Sequence, residues 1–205
     1  MARVTVQRQA DRREEILAAA KICFARSGFH QTSMNDICAA AGMSAGNLYR
    51  YFKSKEDIII GIAERQSVEA AESFAAVSRA ENFREAFAGL ARYHLVERDL
   101  DDINLCAEVM AESRRNAEVA RTHAAIETKL KDELAAMLRK AAARGEIVSE
   151  FDLDHVADVL FALGDGFFWR RSVDPKFDPG AMLPMVLKMV DSLLTPGAGK
   201  PVQVK

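Results

Sequence analysis

The chain has 205 residues, 49% of them hydrophobic, and a formal net charge of −2. That supports one generous domain or two smaller ones with real cores, and the charge alone does not announce a nucleic-acid binder. No run of about 18 apolar residues offers a membrane span, and the polar start "MARVTVQRQADRREE" lacks the apolar centre of a secretion signal.

The chain reads as helix nearly throughout. Proline occurs only at 175, 179, 184, 196 and 201, and no stretch alternates strictly enough for a strand. The first helix is expected from Asp11, with Glu14 as capping partner. Its inner stripe is Ile16, Ala20, Cys23, Phe24 and Ser27, and Gly28 stops it. The second begins at Ser33, with Asp36 completing the cap. It buries Met34, Ile37, Cys38 and Ala41 and breaks at Gly42. The third starts at Ser44. The fourth starts at Ser54, with Asp57 as its cap partner, and runs to about Ser78. Longer helices follow at 82–98, 102–114, 116–144, 152–171 and 178–194. The Pro- and Gly-bearing tail 196–205 is expected to be disordered. The fold class is all-α.

Charge is uneven along this chain. Residues 1–60 hold nine Lys and Arg against six Asp and Glu, whereas the remainder holds 19 against 24. A basic front and an acidic back fit an anionic partner at the front. Cys23, Cys38 and Cys106 have no metal-ligand spacing, and their odd number implies a reducing cytoplasm.

Residues 33–52 read helix, tight turn, helix. That is the spacing of a helix-turn-helix, whose second helix enters the major groove of DNA. At about 100° per residue, Ala45, Leu48 and Phe52 form a buried stripe on the second helix. Gly46, Asn47 and Arg50 point the other way, with Tyr49 and Tyr51 on either flank. The two phenols are placed for phosphates on the groove walls, while Asn47 and Arg50 can reach base edges. Gly46 leaves room for close approach. Ser33, Ser44 and Ser54 leave helix N-termini, where phosphate binds readily. Lys55 is unfavourable in the first turn of a helix unless a phosphate lies near. Covering of an ordinary core is the competing role for the two tyrosines.

The stretch "FARSGFHQTSMNDICAAAGMSAGNLYRYFKSKEDII", which begins at Phe24, resembles the TetR (tetracycline-repressor-like) family of transcriptional regulators. It carries that family's G-[FY] turn, A-G-[VM]-S turn, L-Y-x-[YH]-F helix and Lys followed by acids, with Cys38 where alanine is usual. The resemblance implies phosphate contacts for Thr32, Ser33, Tyr49, Tyr51 and Lys55. It puts Gly46, Asn47 and Arg50 at base-facing positions. Arg3, Arg8, Arg12 and Arg13 form a basic arm that adds phosphate or minor-groove contacts, or else a solubilising tail.

The family likeness also implies a helical C-terminal domain that dimerises and encloses a small-molecule pocket. The expected division is a DNA-binding domain over 1–55, a helical effector and dimerisation domain over 56–195, and the tail. Residues independently support self-association. Val156, Val159, Leu160, Leu163 and Phe167, with Met182, Met185, Val186, Met189 and Leu193, form two broad apolar helix faces. Capping their own core is the alternative. Phe87, Leu90, Tyr93, His94, Cys106, Met110, Met137, Phe161, Asp165, Phe168 and Trp169 are expected to line an effector cavity, with His94 and Asp165 as polar anchors. Plain core is again the alternative.

No catalytic residue and no cofactor is assigned. His94, Glu108, His155 and Asp158 lack the Glu-x-x-His repeat of a helical di-metal centre, so no metal site is assigned either. The reading is a cytoplasmic, homodimeric DNA-binding repressor. It binds double-stranded DNA at a palindromic operator and is released by a small hydrophobic effector, with no membrane partner. An activator or effector-independent regulator, and a helical protein–protein adaptor, remain open at this level.

Overall fold

The computed structural model describes residues 2–195, with side chains from residue 7 onward. The expected tail 196–205 and the side chain of Arg3 lie outside them. In chain order the helices are α1 (Ala2–Gln31), α2 (Met34–Ala40), α3 (Ala45–Leu48), α4 (Lys55–Arg79), α5 (Phe83–Arg92), α6 (Leu100–Ser113), α7 (Ala117–Ala143), α8 (Leu153–Val173) and α9 (Pro179–Leu194). No strand occurs among the described residues. The expected helices are present, and α1 begins well before Asp11. One feature was not legible. The helix expected over 82–98 ends in a π-helical turn, Tyr93–Glu97.

The chain divides into two compact units. One takes residues up to 68 together with 99–126, and the other takes 69–98 together with 127 onward. Compactness therefore cuts inside α4 and assigns α6 to the first unit. A division by local sequence motif could not show this, because α6 lies far from the front of the chain in sequence.

The first unit has its own core. Ile16, Leu17, Ala20, Phe24 and Phe29 of α1 pack with Ile37 of α2, Leu48 of α3 and Ile58, Ile59 and Ile62 of α4. Leu105 and Val109 of α6 close it. Ser27, expected on the inner stripe, is exposed. The reason is Gly28, whose φ of 74° and ψ of 163° interrupt α1 and re-aim the chain, so that Phe29 becomes the next buried residue. One ion pair, one hydrogen bond and a buried acid link α1 and α4 to α6. Lys21 Nζ lies 2.7 Å from Asp102, which also accepts from Gln66 Nε2 at 2.9 Å. Glu112 Oε2 lies 3.3 Å from His30 Nε2, yet Arg115 Nη1 is 2.9 Å from that same nitrogen. Glu112 Oε2 is buried and has no hydrogen-bond partner among the described residues.

The second unit packs Phe74 and Val77 of α4, Phe83 of α5, Leu134, Met137 and Leu138 of α7, and Ile147 against Val156 and Phe167 of α8 and Leu183, Val186, Val190 and Leu194 of α9. Three residues expected on the partner-facing surface therefore belong here: Val156, Phe167 and Val186 are buried in their own subunit's core. Leu160, Leu163 and Leu193 are partly buried against it. Val159, Met182, Met185 and Met189 do stand exposed, Met185 at 60%. A helical stripe broad enough for both roles cannot say which edge is turned inward.

The expected effector-lining residues separate. Met137 is plain core, and Phe87, Leu90 and Phe161 pack partly buried against it. Phe168 is half-buried, with the Arg98 guanidinium 5.4 Å from its ring centroid. Asp165 is half-buried as well. Trp169 and Tyr93 are instead half-exposed, at 54% and 50%, so neither ring lies in an interior. Cys106 and Met110 belong to the first unit, on α6. Within the second unit a cavity of about 110 Å³ lies between α5 and α9 and takes in Phe87 alone of the expected set. Ligand pockets usually have about 300–1,000 Å³. His94 is mostly shielded, and burial first, then the Arg98 charge, holds its imidazole well below its usual range, at about 4.

This yields a pH signature. The unfolded imidazole gains its proton below about 6.5 and the native one only near 4. Stability is thus full above pH 6.5 and falls as pH drops from there toward 4. Chemical denaturation at stepped pH should show that fall, and His94→Phe should flatten it relative to wild type.

Candidate nucleic-acid interface

Two capping arrangements build the helix-turn-helix. At the start of α2, Asp36 N–H donates to Ser33 Oγ at 3.1 Å, and Ser33 N–H donates to the Asp36 carboxylate at 2.8 Å. The Ser33 hydroxyl donates to that carboxylate too, at 2.6 Å. The hydroxyl bond, then the backbone one, hold the Asp36 carboxyl below its ordinary range. At the end of α2, Gly42 N–H donates to Ala39 O at 3.3 Å and Met43 N–H to Cys38 O at 3.0 Å. That is a Schellman cap, and it needs the φ of 61° that Gly42 supplies.

The chain then enters α3, which is a single turn. Leu48 and Phe52 are buried beneath it, at 0% and 3% exposure. Beyond Leu48 the bonds shorten to the i→i−3 type, Arg50 N–H to Asn47 O at 3.2 Å and Tyr51 N–H to Leu48 O at 2.9 Å. Ala45, expected inside, is exposed as the first residue of the turn. The tightening after Leu48 departs from the ideal helical wheel, and Tyr51, expected on an outer flank, is half-buried and packs against the first unit's core. Tyr49 remains 52% exposed. Ser44, Gly46 and Arg50 are exposed, and Asn47 is half-buried. Ser44 makes no side-chain cap bond, which leaves its hydroxyl for an outside acceptor.

Other expected phosphate ligands are committed within the chain. Thr32 is buried at 2% exposure, and its hydroxyl donates to Gly28 O at 2.8 Å. It closes the interrupted end of α1 and cannot reach a phosphate from there. Ser33 spends its hydroxyl proton on Asp36. Lys55 Nζ donates to Phe29 O at 2.7 Å and His30 O at 3.3 Å, and it sits 4.8 Å from the Phe29 ring centroid. Its charge therefore caps the carbonyl end of α1, a favourable place for a cation. That resolves the liability read from sequence without a phosphate. In the basic arm Arg8 is exposed, Arg12 pairs with Glu15, and the Arg13 guanidinium lies over Phe52 at 5.0 Å.

Gly61 went unnoticed in the sequence. A Cβ there would meet Arg13 at 3.0 Å and both Leu17 and Phe52 at 3.2 Å. The bare backbone lets α4 approach the ring that anchors α3. A lone glycine within an apolar helical run carries no such information.

With this geometry in view, comparison with known proteins decides the class. Residues 16–62 match the family model of bacterial regulatory proteins of the tetR family, and residues 90–195 match that of the BetI-type transcriptional repressor C-terminal region. The chain belongs to the TetR family. It is a DNA-binding transcriptional regulator and not an enzyme. This TetR-family chain is 30% identical over 165 residues to the HTH-type transcriptional regulator UidR of Escherichia coli K12, covering 75% of this chain and 78% of that protein. The solved structure of Salmonella enterica GusR superposes with a TM-score of 0.77 at 30% identity, covering 90% of this chain and 95% of that one. The Bacillus subtilis regulator FadR, solved in complex with stearoyl-CoA, gives a TM-score of 0.74 at 24% identity, covering 88% and 98%. At that identity the likeness concerns the fold alone. Among the described residues of this TetR-family regulator, no helix is long and apolar enough to cross a membrane.

The Gly61 contact gives a test. Gly61→Val should lower unfolding free energy by about 1–3 kcal/mol through overpacking against Phe52, read by urea denaturation. An unchanged midpoint would mean that α4 does not depend on that close approach.

Proposed function

We propose that this regulator is a cytoplasmic homodimeric repressor that occupies a palindromic operator and leaves it when a small apolar effector binds. The observation that carries the DNA side is the exposed turn of Ser44, Gly46, Tyr49 and Arg50, held up by buried Leu48 and Phe52. In this reading Arg50 and Asn47 address base edges in the major groove, and Gly46 allows close approach. Tyr49 and Ser44 hold phosphates, and Tyr51 acts mainly as a wedge beneath the turn. Lys55 has one ammonium proton beyond its two carbonyl bonds, so it adds a phosphate contact only secondarily.

Self-association is supported by the surface of α8 and α9. Val159, Trp169, Met182, Met185 and Met189 are large, apolar and exposed, and a cluster of such residues commonly marks an interface. A two-fold dimer presents two reading turns, hence a palindrome with half-sites one helical turn or more apart. The functional division proposed remains a reading head over 1–55 and a regulatory remainder. Helix α4 belongs to both compact units, so displacing it is an economical route from effector to operator. A thousandfold loss of operator affinity requires a state preference of about 4 kcal/mol.

Arg50→Ala should cost about 1–3 kcal/mol per half-site and relax base preference at one position. Gel shifts at fixed salt against an operator selected from random duplexes read this, and full affinity with unchanged preference would contradict it. Met185→Glu combined with Met189→Glu should convert the protein to monomer in sedimentation velocity. Retention of the wild-type mass would place the interface elsewhere.

A further inference from the structure

One buried side-chain atom in the described residues of the second unit is left unsatisfied by its fold. His94 Nε2 is shielded from solvent and has no hydrogen-bond partner among the described residues. The surroundings are aromatic. The Phe74 ring centroid is 6.4 Å away, and the Tyr93 ring stands edge-on at 5.1 Å. Leaving such an atom unpaired is costly, and native folds seldom retain that cost without a use. The residue also sits in the π-helical turn Tyr93–Glu97. Turns of this kind occur often at functional sites, because the extra residue re-aims a side chain.

Charge limits the ligand. Burial and Arg98 keep the ring neutral at physiological pH, so it offers one N–H and one lone pair and no ionic attraction. Arg98 itself lies over the Phe168 ring at 5.4 Å, so a second cation would meet repulsion there. A hydroxyl fits best. It both donates and accepts, and therefore complements Nε2 in either ring tautomer, whereas an amine or a carbonyl suits only one charge or tautomer state.

We propose that His94 Nε2 is the polar anchor of the effector site and selects an uncharged, apolar molecule bearing a hydroxyl group. This rests on the reading that the second unit takes an apolar effector. The hydroxyl gives the buried nitrogen its missing partner, while hydrocarbon meets the aromatic rings. Binding strength then depends on one oxygen atom, and a ligand of the same shape without it loses the advantage.

The test uses the full-length protein and matched probes: cyclohexanol, phenol and octanol, each beside the hydrocarbon in which a methyl replaces the hydroxyl. Binding is measured by calorimetry. The His94 Nε2 resonance is followed in protein labelled with ¹⁵N-histidine. At least one alcohol should bind about tenfold more tightly than its hydrocarbon partner and should shift the Nε2 resonance, while the hydrocarbon leaves it in place. In His94→Phe the tenfold preference should vanish with hydrocarbon binding kept, and His94→Gln, which retains a donor and an acceptor, should recover part of it. The resonance experiment needs no variant, so misfolding of His94→Phe leaves the proposal open to refutation. Equal binding of each pair overturns the hydroxyl anchor while leaving an apolar effector site intact. Absence of binding by every probe overturns both that site and its anchor.

Discussion

Burial of Leu48 and Phe52 under a single helical turn is the constraint from which the rest of the reading head follows. A four-residue helix has no stability of its own, since its nucleation cost is never recovered by propagation. Fixing each residue costs about 1–2 kcal/mol, and burying a leucine or phenylalanine returns about 1.5–3 kcal/mol. The display of Tyr49 and Arg50 is therefore a tertiary property. It exists because two side chains reach down to α1 and α4, where Gly61 leaves room for the Phe52 ring.

The groups around that turn act as fasteners. Lys55 closes the carbonyl end of α1, Thr32 closes the break at Gly28, and Ser33 with Asp36 starts α2. Lys55, Thr32 and Ser33 could bind phosphate by chemical type, yet each is already engaged within the chain. On the proposed reading, the DNA-facing set is narrower than chemistry alone would allow: a few exposed side chains on one turn do the reading, and the polar residues around it fix where that turn stands. In the second unit, His94 Nε2 is a buried side-chain atom without a hydrogen-bond partner among the described residues, and the proposed hydroxyl anchor rests on it.

Much of this was legible in the sequence because it depends on local backbone demands. Ser33 with Asp36 and Gly42 fix the ends of α2 through bonds spanning three to five residues, and such spans can be read directly. The inward set of Leu48 and Phe52 was legible for the same reason. Tyr51 was misplaced because the turn tightens after Leu48, and an ideal wheel has no term for that, whereas Ala45 is exposed because it opens the single turn of α3. Thr32 was misplaced because its hydroxyl finds carbonyls exposed by a kink at Gly28. Trp169 and Val156 exchanged roles because an apolar residue carries no mark of which neighbour covers it. The Glu112, His30 and Arg115 cluster joins residues more than eighty positions apart and had no sequence signal.

The most direct check compares the three tyrosines, Tyr49, Tyr51 and Tyr93, by hydroxyl-radical oxidation and mass spectrometry with and without operator duplex. The account predicts that DNA strongly protects Tyr49, changes the half-buried Tyr51 little, and leaves Tyr93 as reactive as before. If Tyr49 oxidises equally in the free and DNA-bound protein, the turn above Leu48 and Phe52 is not the surface that meets DNA.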